Sequence, residues 1–537
     1  MPFAAKPLDW RSSALRWTDS FAHKLADHEG VLWSYAQPAT HENPRLVGVS
    51  RAGARLVGLS ADTLWRDREA AAAVLSGNEP LFCGMPRPWA QCYGGHQFGA
   101  WAGQLGDGRA INLGEAVSEG RSWEVQLKGA GRTQYSRLGD GLAVRRSSIR
   151  EYLAAENMHA LGIPSSRSLS LVFTDTEVQR EETELGAVVA RLAPSWVRFG
   201  SFELPASRGD HAACQRLADY VLAHSYPHIA GGSAAARYTQ LFREVTLRTA
   251  RTVAQWQAVG FCHGVMNTDN MSVLGLTIDY GPFAFMDAYD PQFVCNASDY
   301  AGRYAFAEQP RVALWNLLHL ATPFAKLIDC ADTVAEILNT YAGEYKRTYA
   351  ALMCHKLGLY NVAKETDHEA VIEPLLALME RVGADYTLTM RTLCDVPELL
   401  ARDAESEAID KIVDRIMAVA ESGSNNTAWK EEMRAFLTDV YRPRLLDDAD
   451  GALSPEDAQD IAARMRRTNP RFILRNWVAQ DVISRAAGGD EGSVDRVLDL
   501  ITTYAFCDAL PDHLKNEVAY GGPVPKWGQG LQSSCSS

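Results

Sequence analysis

The stretch that most constrains this chain is the segment at residues 261–286, which reads FCHGVMNTDNMSVLGLTIDYGPFAFM. It follows a long amphipathic pattern and ends in an apolar run typical of a β-strand, so its polar residues are expected in loops. Two Asn and two Asp lie there, at Asn267, Asp269, Asn270 and Asp279. Carboxylate and amide oxygens at such spacing can hold a divalent metal ion over nucleotide phosphates. The segment therefore predicts a metal-assisted phosphate site.

The same segment is similar to two motifs of protein kinases. In a kinase the catalytic loop reads HRDxxxxN, and a DFG sequence follows on the next strand. His263 and Asn270 match the His and the Asn of the first motif, and residues 279–281 match the second. Val265 stands where a kinase has its catalytic Asp, and a valine cannot accept a proton. Ordinary phosphoryl transfer to a hydroxyl is therefore unexpected, and a different chemistry is indicated.

Composition and charge narrow the class of protein. The chain has 537 residues, which could form two to four domains or one large two-lobed enzyme, and 47% of them are hydrophobic, which is ample for a packed core. Its formal net charge of −13 repels phosphate at long range, so we expect neither a nucleic-acid partner nor an anionic membrane partner. Residues 121–167 depart from this balance, with eight basic residues against four acidic ones. They predict a local pocket for an anion.

The sequence also indicates the cellular compartment of the protein. The first residues lack the apolar core of a signal peptide, and no uninterrupted apolar run reaches the roughly 18 residues of a membrane span. The ten Cys are scattered singly, without a CxxC pair. Such cysteines are typical of reduced core residues. We therefore expect a cytoplasmic protein with no membrane partner.

Residues 92–115 combine many Gly with aromatic side chains and then break into an alternating run that suits a β-strand. Glycines of this kind can cradle phosphates, but they are equally common in tight hairpins. On this stretch alone, a phosphate-binding turn and a purely structural turn stay equally open.

A strand and a helix follow the glycine-rich stretch. Residues 123–128 alternate apolar and polar, so Lys128 falls on the face opposite the apolar residues and can point into a cleft. Residues 147–161 predict a helix with Ser147 as its N-cap and Glu151 in its first turns. A strand Lys followed by a helical Glu is the layout in which a carboxylate orients an ammonium group onto phosphate oxygens. The alternative is that both are ordinary surface charges.

Two arginines follow along the chain. Residues 168–173 and 186–192 predict two further strands, the second of which contains Arg191, and Arg198 lies just beyond it. Two Arg that leave one sheet edge toward the same cleft can clamp a polyphosphate through their forked donors. Salt bridges with surface carboxylates are the alternative.

Longer motifs carry a resemblance to one family. They read YGGHQFGAWAGQLGDGRA, WEVQLKGAG, SSIREYLAAE, WQAVGFCHGVMNTDNMSVLGLTIDYGPF, NPRFILRNWVAQ and, at the end, SSCSS. In this order they closely resemble the selenoprotein O family, over about residues 85–320 strongly and over the later helices more loosely. The resemblance implies a protein adenylyltransferase that moves AMP from ATP to Ser, Thr or Tyr hydroxyls. It also implies that the nucleotide lies in the reverse of its usual orientation in kinases.

The resemblance further implies roles for individual residues. The nucleotide contacts are Gly106, Gly108, Arg109, Lys128, Asp140, Gly141, Arg191, Arg198 and Asp279. Asn270 and Asp279 match the ligands of Mg²⁺ or Mn²⁺. Asp269 matches the proton acceptor, and Glu151 pairs with Lys128. The chemistry agrees, because several Arg together with Lys128 can neutralise a departing pyrophosphate.

The expected fold class is α+β. The resemblance implies a protein-kinase-like, two-lobed fold with an N-lobe sheet, a Lys–Glu helix and a large, mainly helical C-lobe. We expect residues 1–200 to form the N-terminal region and the N-lobe with its glycine-rich nucleotide loop. Residues 201–330 would form the C-lobe core with the catalytic and metal loops. Residues 331–537 would form a helical C-terminal extension with a mobile, Cys-containing tail.

Two other functions stay open at this point. One is an atypical kinase that transfers the γ-phosphate, and the other is a non-catalytic nucleotide-binding scaffold. A scaffold need not keep metal ligands, so the intact set of Lys128, Glu151, Asn270 and Asp279 argues against it. The expected partners are proteins that carry Ser, Thr or Tyr hydroxyls, this chain itself included.

The tail raises a hypothesis of redox control. In animal members of the family a selenocysteine lies near the C-terminus, where this chain has Cys535. Cys262 immediately precedes His263 of the catalytic loop. A disulfide between Cys535 and Cys262, formed with a redox partner, would hold the tail across the site and lower turnover. An unpaired tail thiol is the alternative.

Overall fold

The computed structural model describes residues 16–80, 86–360, 366–401, 405–420, 426–448 and 453–533. Its strands are β1 (Arg16–Thr18), β2 (Trp33–Tyr35), β3 (Arg45–Val49), β4 (Trp89–Gln91), β5 (Gly94–Gln97), β6 (Ala100–Gln104), β7 (Ala110–Ser118), β8 (Arg121–Lys128), β9 (Ala143–Val144), β10 (Arg167–Gln179), β11 (Thr183–Ala193), β12 (Phe261–Cys262) and β13 (Ala284–Phe285). The α-helices are α1 (Ser20–Lys24), α2 (Arg51–Leu56), α3 (Ala61–Arg66), α4 (Arg68–Ser76), α5 (Arg145–Ala160), α6 (Phe199–Ser207), α7 (His211–Ser225), α8 (Ala234–Ala258), α9 (Gln309–Ile328), α10 (Ala331–Lys356), α11 (Glu373–Val382), α12 (Tyr386–Leu393), α13 (Val396–Leu400), α14 (Glu405–Met417), α15 (Thr427–Ala435), α16 (Arg442–Asp447), α17 (Pro455–Thr468), α18 (Asn476–Ala487) and α19 (Ser493–Thr502). The predicted α+β class is confirmed. Among the helices of these ranges, none has the length and apolar content that crossing a bilayer requires.

The main sheet is antiparallel and runs in the order β2-β4-β7-β8-β11-β10-β3, with β1 beside β7 and β9 beside β11. Side chains alternate along a strand, so Ile111 and Val125 point to one face, where they pack with Leu75 of α4. Gln126 and Arg191 lie on the other face, directly opposite one another on β8 and β11. The sheet therefore has one apolar face, covered by helices, and one face that carries polar groups at its centre.

Helix α5 packs against β10 and β11 on that second face. It begins at Arg145, two residues before the predicted start, because Ala143 and Val144 pair with β11 and the chain turns from this short strand directly into the helix. The prediction that Ser147 caps the helix is therefore wrong. Ser147 lies inside the first turn, where its hydroxyl donates to the carbonyl of Val144 at 3.2 Å. Glu151 consequently lies in the second turn.

A two-stranded ladder frames the loops of residues 261–286. Helix α8, which forms the long amphipathic pattern before this segment, ends at Ala258 and leads into β12. Strand β12 pairs with β13 in antiparallel register. The intervening loop contains a 3₁₀ turn at Thr268–Asn270. The ladder therefore fixes both ends of the loop segment that carries the polar residues.

The last helices of the chain return to α5. The side-chain amide of Asn157 donates to the carbonyl of Ile501 at 2.8 Å and accepts from the backbone N–H of Leu474 at 3.1 Å. Arg150 donates to the side-chain oxygen of Asn476 at 3.1 Å. Helices α18 and α19 also share an apolar core with α5. The position of α5 therefore depends on the C-terminal helices as well as on the sheet.

Candidate active site

A cleft of about 860 Å³ lies between the polar face of the sheet and the loops of residues 261–286. Most of the residues singled out from the sequence line it, namely Gly106, Gly108, Arg109, Lys128, Asp140, Gly141, Arg191, Asn270 and Asp279. The side chains of Glu151, Arg198 and Asp269 are not part of this lining and lie behind it. The structure therefore brings all of these residues to one place, in two layers.

The floor of the cleft is a network of charged side chains. Nζ of Lys128 lies 2.6 Å from Oε2 of Glu151 and 3.9 Å from Oδ1 of Asp279. Nη1 of Arg191 donates to both Oε1 of Glu151 and Oδ1 of Asp279, each at 2.6 Å. Nη1 of Arg198 donates to Oδ2 of Asp279 at 2.5 Å. Three cations thus surround the two carboxylates of Glu151 and Asp279 at the floor of the cleft.

Burial and the neighbouring charges set the protonation states of Asp279, Glu151 and Lys128. Burial alone would raise the pKa of Asp279, but the charges of Arg198, Arg191 and Lys128 outweigh it and hold that pKa well below its usual range. Burial would likewise raise the pKa of Glu151, which Lys128 and Arg191 lower overall. Burial lowers the pKa of Lys128, and Glu151 offsets only part of that effect. Both carboxylates are therefore ionised at neutral pH.

The backbone aims the Asp279 carboxylate at this network. Its φ of 57° lies in the left-handed region, which costs a residue other than glycine about 1–2 kcal/mol. The chain before it is fixed by the hydrogen bond from the N–H of Ser166 to the carbonyl of Thr277, at 2.9 Å. The next side chain, Tyr280, is anchored through its hydroxyl to that of Ser165. The surrounding contacts therefore hold Asp279 in a conformation that it would rarely adopt alone.

The loop before Asp279 contributes one amide and one apolar side chain to the cleft. Nδ2 of Asn270 donates to the carbonyl of Val265 at 2.9 Å. This bond orients the amide and does not use its oxygen, the atom that could bind a metal ion. Val265 lines the cleft and offers no proton-accepting group, as the sequence indicated.

Asp269 lies behind the cleft under the hairpin formed by β5 and β6. Its Oδ2 accepts from Nε2 of Gln97 at 3.2 Å, while Oδ1 has no hydrogen-bond partner in the described part of the chain. Burial raises the pKa of Asp269 to about 7, although Arg198 and Gln97 lower it in part. A Cβ at position 95 would stand 2.7 Å from Oδ1, so Gly95 is required for the hairpin to approach this closely.

The glycine-rich stretch forms a hairpin and then a turn, and phosphate binding by that turn stays a prediction. Strands β5 and β6 form the hairpin over the turn Thr268–Asn270, and the backbone N–H of His96 donates to Oγ1 of Thr268 at 2.7 Å. The turn that follows, with Gly106 and Gly108, lines the cleft. Gly106 has a φ of 139°, and a Cβ there would lie 2.6 Å from the ring of Tyr135.

Comparison with known proteins identifies the family to which this site belongs. The family model described as "Protein adenylyltransferase SelO" matches residues 20–503. The chain belongs to the SelO family. It is 45% identical over 507 residues to the "Protein nucleotidyltransferase YdiU" of Bordetella petrii, which covers 93% of this chain and 94% of that protein. It is 43% identical over 525 residues to the protein of the same name from Klebsiella pneumoniae, covering 97% of this chain and all of that protein.

Membership of the SelO family confirms the resemblance that the sequence motifs carried, and with it the prediction of an enzyme of the nucleotidyltransferase class. In this SelO-family chain, Lys128 and Glu151 lie far apart in sequence and pair at 2.6 Å. The alternative, that they are separate surface charges, is wrong. Arg191 and Arg198 likewise point inward to Asp279 and do not form surface salt bridges.

Two residues of this SelO-family site carried no sequence signal. Asp107 is buried and accepts from the hydroxyl of Tyr93 at 3.2 Å and from Nε2 of Gln126 at 3.1 Å, which fixes the polar face of the sheet. Arg180, in the polar turn between β10 and β11, lines the cleft and donates to Oδ2 of Asp140 at 2.7 Å. Only the fold brings these partners together, because they come from different strands and loops.

The structure describes one of the two cysteines in the redox hypothesis. Cys262 is fully buried, and its thiol donates to the carbonyl of Tyr304 at 3.4 Å. Cys535 lies outside the described residues. Ser533 is the last described residue before it in the sequence, and its carbonyl accepts from the N–H of Ala297 at 3.0 Å. A disulfide between Cys262 and Cys535 stays a prediction, and it would require local opening around Cys262.

Proposed function

We propose that this chain transfers AMP from ATP to Ser, Thr or Tyr hydroxyls of proteins, itself included, and releases pyrophosphate. The observation that carries the proposal is the cluster of Lys128, Arg191 and Arg198 around Asp279, in a chain of the SelO family. Attack at the α-phosphorus expels a highly charged leaving group. Cations already fixed at the floor of a cleft can neutralise that charge with little reorganisation.

The oxygen atoms of the cleft fit a hard divalent cation. The carboxylate of Asp279 and the amide oxygen of Asn270 are ligands that Mg²⁺ and Mn²⁺ prefer, and the Asn270 amide is already oriented by its bond to Val265. Both oxygens of Asp279 accept from Arg191 and Arg198, so an ion bound there would share this carboxylate with the two guanidinium groups. Such an ion would supply charge neutralisation at the phosphate oxygens.

Asp269 is the proposed proton acceptor for the attacking hydroxyl. Val265 cannot perform this role, and Asp269 directly precedes Asn270 in the same 3₁₀ turn. Its Oδ1 is buried without a partner among the described residues, which leaves a lone pair for the incoming proton. Because the β5–β6 hairpin covers Asp269, the acceptor side chain has to reach it past this hairpin.

The proposal extends to the architecture. A protein-kinase-like arrangement accounts for a strand Lys, a helical Glu and a loop Asp meeting in one cleft, as Lys128, Glu151 and Asp279 do. We assign residues 1–200 to the N-terminal region and N-lobe, 201–330 to the C-lobe core and 331–537 to the C-terminal extension. The enzyme would work in the cytoplasm.

Mass spectrometry of the reaction product tests the proposed chemistry. After incubation with ATP and Mg²⁺, a protein substrate should carry AMP on a hydroxyl side chain. Asp269→Asn should suppress the transfer by about 100-fold, because it removes a proton acceptor, and should leave ATP affinity nearly unchanged, because it removes no phosphate contact. A phosphate adduct in place of AMP would contradict the proposal, as would full activity of Asp269→Asn.

The response to metal separates an enzyme from a scaffold. ATP at 100 times its Kd stabilises a folded protein by about 2.7 kcal/mol. If Asn270 and Asp279 hold an ion against the phosphates, we expect ATP to raise the Tm strongly with Mg²⁺ and only weakly in EDTA. Thermal unfolding followed by fluorescence measures this difference. Equal shifts in both buffers would remove the metal assignment and favour the scaffold.

A further inference from the structure

Three side chains outside the cleft converge where the β5–β6 hairpin packs on helices α6 and α9. His96 comes from β5, Glu203 from α6 and His319 from α9. One potential ligand atom of each lies within 4.8 Å of the other two. Nδ1 of His96 is 2.6 Å from Oε2 of Glu203, and the rings of His96 and His319 have centroids 3.7 Å apart. Two imidazoles and one carboxylate therefore face a common point.

The carboxylate of Glu203 is buried but incompletely bonded. The residue is 5% exposed, and its Oε1 has no partner at hydrogen-bonding geometry among the described residues. A buried acceptor without a donor is unfavourable, and a cation at the common point would satisfy it.

The imidazoles of His96 and His319 can each offer a ring nitrogen to a metal ion. Both histidines are only half-buried, so an ion can reach them from solvent.

We propose that His96, Glu203 and His319 form a binding site for a divalent transition-metal ion of the zinc type. Two His and one Glu are a ligand set that zinc accepts, with water in the fourth position. Tetrahedral coordination with bonds of about 2.1 Å places ligand atoms about 3.4 Å apart, so no two of the three ligand atoms, which lie within 4.8 Å of one another, need to approach by more than about 1.4 Å. Nitrogen ligands also select a softer ion than the all-oxygen pair Asn270 and Asp279 would take.

An ion at this point would join the hairpin to the helices beneath it. The backbone N–H of His96 donates to Thr268, and the side chain of Gln97 donates to Asp269. Helices α6 and α9 pack against each other and provide a rigid base. The ion would therefore position the hairpin over the proposed proton acceptor without itself touching the cleft.

A metal titration tests this site. The untagged full-length chain is held in excess Mg²⁺, which occupies oxygen sites, and is titrated with Co²⁺ while the visible absorption is recorded. We expect one equivalent of Co²⁺ to bind, with the spectrum of a four-coordinate ion, and one equivalent of Zn²⁺ to displace it. His319→Gln and Glu203→Gln should each weaken binding by more than about 100-fold.

His513→Gln is the matched control, because His513 is an exposed histidine paired with Asp499 at 3.0 Å, and this variant should bind Co²⁺ like the unaltered chain. Circular dichroism and the Tm establish that the variants fold. Lack of saturable one-to-one binding by the unaltered chain would overturn the proposal whatever the variants do. Unchanged affinity in a folded His319→Gln would overturn it as well.

Discussion

Asp279→Ala should reduce kcat/KM for AMP transfer by about 1,000-fold or more. Asp279 lines the cleft, and Arg191 and Arg198 donate to its two oxygens at 2.6 and 2.5 Å. The substitution removes the proposed metal carboxylate, an electrostatic contribution of the size that oxyanion and metal contacts make to catalysis. It also leaves the three cations short of a buried partner, which costs about 3–5 kcal/mol of stability.

A second variant separates lost catalysis from lost stability. Asp279→Asn keeps the size of the side chain and can still accept from an Arg, so it should fold better than Asp279→Ala and remain nearly as inactive. Asp62→Ala, which removes one half of an exposed pair with Arg51, should leave both the rate and the Tm unchanged. A wild-type rate in folded Asp279→Asn would show that this carboxylate holds no essential ion.

Lys128→Ala should reduce kcat/KM by about 100-fold, because it removes an ammonium group that lines the cleft and lies within 4 Å of Asp279. Glu151→Gln should act more mildly, by about tenfold. It removes the partner that orients Lys128 but leaves the ammonium in place, and the Gln oxygen can still accept from Arg191. Steady-state kinetics of both variants, with ATP affinity measured separately, provide the comparison.

The comparison of Lys128→Ala with Glu151→Gln tests the separate roles of these two residues. Lys128→Arg is the control for charge, and it should recover only part of the activity because a planar guanidinium does not replace a compact ammonium. If Glu151→Gln lost as much activity as Lys128→Ala, Glu151 would have a direct part in the reaction. If Lys128→Ala kept the wild-type rate, the cation cluster would not act on the phosphates.

The local sequence pattern was sufficient to place Lys128 and Glu151. Alternation along β8 put Lys128 on the polar face, and the helical pattern put Glu151 in the first turns of the helix that is α5. Their pairing was expected from the Lys–Glu layout of protein kinases. The start of α5 was misplaced because Ser147 is a good N-cap residue by type, whereas the pairing of Val144 with β11 decides where the chain turns.

The partners of Asp279 could not be predicted in the same way. That both Arg191 and Arg198 bond to this carboxylate depends on the ladder of β12 and β13, which sets the loop against the sheet over a long sequence separation. The same holds for Asp269. Its spacing from Asn270 was visible in the sequence, but its place under a hairpin about 170 residues earlier in the chain follows from tertiary packing alone.

Following labelled ATP tests the central claim most directly. With a protein acceptor and Mg²⁺, label at the α-phosphate should appear on protein, and label at the γ-phosphate should appear only in released pyrophosphate. Asp279→Asn should abolish the α-label under the same conditions, which links the transfer to this cleft. Stable γ-label on protein, with none from the α-position, would show that the chain is a kinase and would contradict the account.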